Sequence, residues 1–312
     1  MVVTKTSSKT TFKSQLPQIG SWSFLRWNTE FLFLIPALCL FFVFVFYPFC
    51  SIFFRSVYQW DGVNPGTFVG LKNFIEILTR DYGFWLAMRN ALYWAPLTII
   101  PQMILGFALA YILTSGIPFE STFRAIIYFP AIVSPIVVGI VWQRIYNPFG
   151  GLLSDIGVAW HMPALMTPFL ADPRIAIFSV IVVNIWQWTG YSMILYVAGL
   201  KAIPEEVLEA AILDGASVFK RITGVIGPML RHVHLTLILL GIIGTLQTFP
   251  IIYIMTQGGP NHATEMLPNY IFTQAFRLQA VGYTSALSVI LLLLALGLSV
   301  FQMKVFGSRF TT

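Results

Sequence analysis

The chain contains 312 residues, of which 57 % are hydrophobic and 10 % are charged, and it carries a formal net charge of +6. Water-soluble domains hold about a quarter charged residues, so this composition excludes a soluble globular protein and indicates a polytopic membrane protein. The positive charge does not indicate a nucleic-acid partner, because the basic residues lie beside the apolar runs, where they report membrane topology.

The chain begins with a polar segment, residues 1–30, which is rich in Ser, Thr and Lys and is predicted to be a cytoplasmic tail before the membrane domain, residues 31–312. The first apolar run, Phe31–Phe54, is too long and too aromatic for a signal-peptide core and has no small-x-small cleavage site after it. It is therefore predicted to be a retained membrane span. Cys39 and Cys50 lack a C-x-x-C spacing and are interpreted as buried, inert thiols.

Five further apolar runs follow, each near the length of about 20 residues that crosses the hydrocarbon layer. They are Ala91–Leu113, Ile126–Val141, Ile175–Leu200, Val233–Met255 and Tyr283–Phe306. An extramembrane loop, Tyr58–Arg89, precedes them and is predicted to contain a short amphipathic helix near Leu71–Leu78. Four prolines are expected to mark kinks within spans: Pro96, Pro101, Pro130 and Pro135. The prediction is an all-α polytopic membrane protein with six transmembrane helices.

The distribution of Lys and Arg predicts the orientation of these spans. With the N-terminus inside, eleven of the 18 basic residues are cytoplasmic: Lys5, Lys9, Lys13, Arg26, Arg124, Lys201, Lys220, Arg221, Arg231, Lys304 and Arg309. The other seven are outside: Arg55, Lys72, Arg80, Arg89, Arg144, Arg174 and Arg277. By the positive-inside rule, both termini and the segment Glu205–His232 are predicted to be cytoplasmic.

The segment Glu205–His232, between the fourth and fifth spans, is far more charged than the runs around it. Pro204 suits the first turn of a helix, and Gly215 suits the left-handed residue that ends one. Ser217 can cap a second helix, which Pro228 is expected to end. Two short helices that meet at a glycine corner are predicted to fit a groove on another protein.

Several residues of this segment resemble the EAA loop of ABC-importer permeases: Glu209-Ala210-Ala211, Asp214-Gly215-Ala216, and Ile226 with Pro228. One departure is Gly227, which stands where leucine is usual and removes one apolar contact of the second helix. Three further segments in chain order, Leu200–Glu205, Met255–Pro260 and Tyr283–Ser288, look like those of MalF-type carbohydrate permeases. An ordinary amphipathic loop, and a plain turn at Gly258-Gly259-Pro260, remain the structural alternatives.

The resemblance implies a type I ABC-importer permease whose cytoplasmic helix-turn-helix loop, residues 201–232, couples to an ATPase. The coupling residues that it implies are Glu209, Ala210, Ala211, Asp214 and Gly215. It also implies three kinds of partner in a bacterial inner membrane: a second homologous permease, an ATPase dimer that holds ATP and Mg, and an extracytoplasmic solute-binding protein. No cofactor is expected on this chain itself.

The fourth span has one polar and aromatic helical face, formed by Asn184, Gln187, Trp188, Tyr191 and Ser192. Amides can bond the hydroxyls of a sugar, and an aromatic ring can cover its C–H face. The resemblance implies that Asn184, Gln187, Trp188 and Tyr191 contact the substrate, together with four residues of the fifth span, Gly241, Gly244, Thr245 and Thr248. Helix packing is the alternative role, since small and amide residues also join spans. Pro250 replaces an acid common in relatives.

Asp, Glu, Lys and Arg are absent from the middle of every predicted span, which favours a neutral sugar or osmolyte as substrate. The sequence has no G-K-[ST] and no catalytic constellation, so ATP hydrolysis is expected on another chain. His232 and His234 lie on different helix faces, so no metal site is expected. The competing hypotheses are an ion-driven secondary transporter, which would need intramembrane carboxylates and internal repeats, and a non-transporting scaffold, which would need no polar face.

Overall fold

The computed structural model describes residues 33–307, which are largely helical. The longer helices are α1 (Phe33–Ser56), α3 (Tyr82–Leu113), α4 (Glu120–Ile132), α5 (Pro135–Ile145), α7 (Ala176–Lys201), α10 (Arg231–Leu246) and α13 (Val281–Gly307), together with α9 (Val218–Met229) of the segment between the fourth and fifth predicted spans. Shorter helices are α2 (Lys72–Thr79), α6 (Leu152–Ala159), α8 (Glu205–Leu213), α11 (Pro250–Met255) and α12 (Leu267–Phe272), with a 3-10 turn at Pro163–Met166. The strands β1 (Tyr58–Gln59) and β2 (Thr67–Phe68) form one antiparallel pair. The predicted tail, residues 1–30, lies outside the described residues.

Four helices are long and apolar enough to cross a membrane: α1, α3, α7 and α13. Two bent pairs of helices, α4 with α5 and α9 with α10, are also long and apolar enough when each pair is taken together, which gives up to six spans if each pair is one span. The all-α, polytopic prediction is thus confirmed. The first helix contains a π-helical stretch at Phe42–Phe46, and the boundary between the two compact units of the chain falls within this helix, after Ser51.

The third predicted span, Ile126–Val141 with its flanks, is divided into two helices rather than being one kinked helix. The helix ends at Ile132 and resumes at Pro135 with a bend of 94°. Pro135 has no N–H and sits at the first turn of α5, where Ser134 caps the new helix through its hydroxyl. Proline was expected to kink this span, but the two extended residues between the helices turn the kink into a full break.

The bounds of the second and fifth spans also differ from the prediction. The helix predicted to start at Ala91 begins at Tyr82, because the Asp81 carboxylate accepts a hydrogen bond from the Phe84 N–H and caps it earlier. The predicted run Val233–Met255 is divided, since α10 ends at Leu246 and α11 starts at Pro250. Hydropathy shows where a chain is apolar, and it does not show where a helix breaks.

Helix α7 is the centre of the larger unit, because glycines let its neighbours approach its backbone. A Cβ at Gly106 of α3 would lie 2.7 Å from the Ser192 Cβ of α7. A Cβ at Gly190 of α7 would lie 2.2 Å from the Ile127 carbonyl oxygen of α4. Close backbone packing therefore holds α7 against both neighbours, which fixes the direction of its polar face.

The two cysteines are free and exposed, whereas buried thiols were predicted. An apolar span can present a thiol to lipid as readily as to a protein core, so an apolar sequence environment does not imply burial.

Candidate substrate cavity and coupling loop

A cavity of about 440 Å³ lies among α3, α5, α7, α10 and α11. Ligand pockets of this size usually combine an apolar wall with a few polar groups. The lining residues are Trp94, Thr98, Ile99, Gln102, Met103, Pro135, Asn184, Gln187, Trp188, Tyr191, Ser192, Leu237, Leu240, Gly241, Gly244, Thr245, Gln247, Thr248, Pro250 and Ile251. None of these described residues carries a charge, so the cavity offers no ionic partner to a ligand.

All eight residues predicted to contact substrate line this one cavity. The fourth span contributes Asn184, Gln187, Trp188 and Tyr191, and the fifth contributes Gly241, Gly244, Thr245 and Thr248. The two glycines differ in their surroundings. A Cβ at Gly241 would lie 2.5 Å from Ile99 Cγ1, so this glycine permits close packing of α10 on α3, whereas a Cβ at Gly244 would meet no atom within 4 Å.

The amides of the cavity are held by specific hydrogen bonds. Gln102 Nε2 donates to Asn184 Oδ1 at 3.0 Å, which joins α3 to α7 across the lining. Gln187 is fully buried, and its Nε2 donates to the Val133 carbonyl oxygen at 3.1 Å. Its Oε1 has no hydrogen-bond partner among the described residues. That acceptor is thus buried and unsatisfied in the wall of the cavity.

The threonines and rings of the lining complete its chemistry. Thr245 and Thr248 donate their hydroxyl hydrogens to the carbonyl oxygens of Gly241 and Gly244, both at 2.9 Å. Each hydroxyl oxygen can still accept a hydrogen bond. Trp188 and Tyr191 pack edge to face with ring centroids 6.2 Å apart. Uncharged acceptors beside aromatic faces suit a ligand with hydroxyl groups on an apolar frame.

Several lining residues were not predicted from the sequence, chiefly on the second span: Trp94, Thr98 and Gln102. Gln102 follows Pro101 as an isolated amide in an apolar run, and that isolation was the available signal. It was insufficient because an isolated amide can equally join helices by packing. Its pairing with Asn184 became visible only once α3 and α7 were in contact.

The segment between the fourth and fifth spans forms the predicted corner. Gly215 has a φ of +73°, and the Ala216 N–H bonds the Ala211 carbonyl oxygen at 3.0 Å, which completes a left-handed helix stop. Ser217 caps α9 by accepting from the Lys220 N–H. A Cβ at Gly215 would meet no atom within 4 Å, so the corner is open on its outer side.

The second helix of the loop continues further than predicted. It passes through Pro228 and ends at Met229, with a π-helical stretch over Ile222–Ile226. The wider turn brings the Gly227 N–H to the Ile222 carbonyl oxygen, so the helix absorbs a proline that cannot donate. The helix thus ends one residue after Pro228, close to the predicted position.

Of the five predicted coupling residues, Glu209, Ala210, Asp214 and Gly215 are exposed and Ala211 is buried. Two large apolar side chains beside them, Leu213 and Phe219, are 87 % and 74 % exposed. Large apolar groups exposed on a short charged loop mark a surface for a protein partner.

Apolar spans that line an uncharged cavity, together with an exposed helical corner between two of them, are typical of a membrane transport subunit. The amino-acid sequence identifies the family of this protein. Residues 102–309 match the family described as "Binding-protein-dependent transport system inner membrane component", and the chain belongs to this family. It is thus a permease of an ABC importer.

Individual relatives cover nearly the whole chain. A probable ABC transporter permease, YurN of Bacillus subtilis, is 34 % identical over 279 residues, which is 88 % of this chain and 95 % of the relative. The trehalose/maltose transport system permease MalF of Thermococcus litoralis is 30 % identical over 280 residues, 88 % of this chain and 92 % of the relative. A bacterial ABC transporter that imports the acidic polysaccharide alginate contains a chain with the same fold, at a TM-score of 0.79 and 19 % identity over 92 % of this chain and 98 % of that one.

Proposed function

We propose that this permease carries a neutral sugar or sugar-like osmolyte through the cavity between its fourth and fifth spans. One observation carries the proposal: eight residues chosen from sequence on two separate spans line a single uncharged cavity. Gln187 and the two threonines line the same cavity as the rings of Trp188 and Tyr191. Helix packing alone gives no reason for this combination.

The charge of the substrate is inferred from the lining rather than from the fold. The fold is shared with a chain from an importer of acidic alginate, so the fold is compatible with anionic cargo. An anionic sugar inside a low-dielectric pathway needs a cationic partner. The described lining of this cavity provides none. The relative with transport of trehalose and maltose in its name supports the same class of substrate.

The remaining components belong to the proposal as well. An extracytoplasmic solute-binding protein delivers the sugar to the outer side, and a second, homologous permease completes the pathway. An ATPase dimer binds ATP and Mg and grips the loop of residues 201–232 from the cytoplasm. The setting is a bacterial inner membrane with both termini inside, where residues 1–30 form the cytoplasmic tail.

In the proposed mechanism, ATP-driven closure of the ATPase dimer moves the corner at Gly215, and the spans joined to it expose the cavity outward. The Lys201 Nζ, at the cytoplasmic end of α7, lies 3.3 Å from Glu120 Oε1 at the start of α4. This ion pair joins the end of α7, where the loop begins, to the start of α4. A change from 1:99 to 99:1 between inward and outward states requires about 5.5 kcal/mol of differential binding.

The test is uptake by the full complex, reconstituted in vesicles with its ATPase, partner permease and binding protein. Labelled maltose, trehalose and diacetylchitobiose are compared with glucose 6-phosphate, with and without internal ATP. The proposal predicts ATP-dependent uptake of at least one neutral sugar and none of the phosphate. Uptake of the phosphate without the neutral sugars would refute it. Uptake driven by an ion gradient without ATP would favour a secondary transporter.

A further inference from the structure

At the break in the third span, the Val133 carbonyl accepts a hydrogen bond from a side chain of the fourth span. Val133 and Ser134 are extended between α4 and α5, with ψ values of 137° and 133°. The next helix starts again from Ser134, whose carbonyl accepts from the Val138 N–H at 3.1 Å. The Val133 carbonyl instead accepts from Gln187 Nε2 of α7. The side chain of Gln187 therefore supplies a partner at the break.

The same side chain lines the substrate cavity. Gln187 is fully buried, its Oε1 has no partner among the described residues, and Pro135 of the break lines the cavity beside it. A buried acceptor without a donor raises the free energy of the state that contains it. A hydroxyl group of a bound ligand can remove that cost by donating to Oε1.

The helices on the two sides of the break have different close neighbours. On one side, α4 lies directly against α7 at Gly190. On the other side, α5 is fastened to α11, because Gln143 Nε2 donates to the Ile254 carbonyl at 2.6 Å and Gly139 packs on Ile254. The end of α5 also packs on α7, because Tyr146 Oη donates to the Ser179 carbonyl at 3.1 Å. A change in the bend of 94° therefore moves α5, and α11 with it, relative to α4. Since α5, α7 and α11 all line the cavity, such a change alters its shape.

We propose that Gln187 is a positioning residue that couples sugar occupancy to the angle of the break between α4 and α5. The inference rests on the proposed function, because it takes a hydroxylated substrate as the ligand of Oε1. The Oε1 and Nε2 atoms of an amide lie in one plane and point in different directions. A ligand hydroxyl that donates to Oε1 therefore keeps Nε2 directed at the Val133 carbonyl oxygen. Rotation of the amide would place Oε1 against the Val133 carbonyl, oxygen facing oxygen. Sugar binding thus favours one angle of the break, and by linkage that angle favours sugar binding.

The test measures the break directly in the full complex. Spin labels are attached to cysteines at Phe129 of α4 and Ile140 of α5, both exposed in this chain, after replacement of Cys39 and Cys50 by serine. Distances are recorded in lipid nanodiscs with binding protein and a non-hydrolysable ATP analogue. Saturating maltose, trehalose or diacetylchitobiose is present or absent. For the sugar that the complex transports, the wild type is expected to show a sugar-dependent change in the distance distribution.

Gln187→Met keeps an unbranched side chain of similar length and removes both the donor and the acceptor. Its sugar-dependent change should disappear, and the maximal uptake rate should fall several-fold with a smaller change in KM. Asn184→Ala is the matched control, on the same face of α7 and in the same cavity but without a contact to the break. That variant should need more sugar, with a raised KM, and should reach the full distance change at saturation.

The inference is overturned if Gln187→Met shows the wild-type distance change at saturating sugar, since Gln187 would then act through binding alone. It is also overturned if the wild type takes up sugar while its break does not respond. The wild-type comparison needs no variant, so failure of Gln187→Met to reach the membrane leaves the inference testable. In both contrary outcomes sugar uptake persists, which distinguishes them from failure of the proposed function.

Discussion

The side chains of the cavity differ in how much of their hydrogen-bonding capacity the protein itself uses. Asn184 Oδ1 already accepts from Gln102, and the two threonine hydroxyls donate to their own helix. Gln187 Oε1 remains free among the described residues. A substrate that brings hydroxyl donors therefore finds acceptors, while the rings of Trp188 and Tyr191 provide area. Recognition should depend on several modest contacts and on ring surface.

Single alanine substitutions in the polar face should slow uptake without abolishing it. One hydrogen bond between uncharged groups contributes about 0.5–1.5 kcal/mol, so Asn184→Ala should reduce uptake about twofold to tenfold. Trp188→Ala or Tyr191→Ala should cost more, because ring area and the shape of the pathway are lost together. The measurement is initial uptake rate in reconstituted vesicles, normalised to the amount of assembled complex. Wild-type rates in all these variants would show that this face only packs helices.

Gln102 and Asn184 should behave as one unit. Because the two amides bond each other across α3 and α7, removing either partner should disable the same contact. Gln102→Ala and Asn184→Ala are therefore expected to be non-additive, with a double variant little slower than the slower single variant. If the fold losses of the two single variants multiplied in the double variant, the two residues would act independently.

At the scale of secondary-structure elements, the loop of residues 201–232 combines a left-handed corner with exposed apolar side chains. The corner leaves open space outside Gly215, so a side chain there would project away from this chain. A partner that fits the corner would meet that side chain. The left-handed backbone also adds a local cost of about 1–2 kcal/mol for any residue with a Cβ.

Gly215→Val should leave the permease inserted and assembled but uncouple transport from ATP hydrolysis. The matched control is Gly116→Val, since Gly116 has a φ of +84°, equally open surroundings and a place in the turn between α3 and α4. Both variants carry backbone strain, and only Gly215 lies in the proposed docking loop. The ratio of sugar moved to ATP hydrolysed should collapse for Gly215→Val alone. An equal collapse in both variants would assign the effect to strain.

Glu209→Ala gives a graded comparison on the same loop. It removes one exposed charge from α8 and leaves the backbone of the corner unchanged, so its effect on the coupling ratio should be milder than that of Gly215→Val.

At the scale of the whole molecule, the sequence predicted the kinds of element better than their continuity. Apolar length located the spans, and helical spacing placed Asn184, Gln187, Trp188 and Tyr191 on one face that the structure directs into a cavity. The 94° break was not predictable, since it depends on two extended residues and on Gln187, which lies 54 positions away in sequence. Gln102 was missed for the same reason: its partner lies 82 positions away.

The distribution of Lys and Arg predicts the orientation of the chain, with the corner in the cytoplasm. A cysteine at Ser217, in a background without Cys39 and Cys50, should react in intact cells only with membrane-permeant thiol reagents. The residue is exposed at the start of α9, so access within the chain is not limiting. Labelling by an impermeant reagent before cell disruption would reverse the orientation.

The central claim is that sugar passes through the cavity between the fourth and fifth spans, and filling that cavity tests it most directly. Gly244 lines the cavity with open space around its Cβ position, so Gly244→Leu should fill the cavity without a clash in the backbone. Gly297→Leu is the control, because Gly297 is also a helical glycine with open surroundings and lies outside the lining. In vesicles with matched amounts of complex, Gly244→Leu should abolish ATP-dependent sugar uptake while Gly297→Leu retains it. Wild-type uptake by Gly244→Leu would contradict the account.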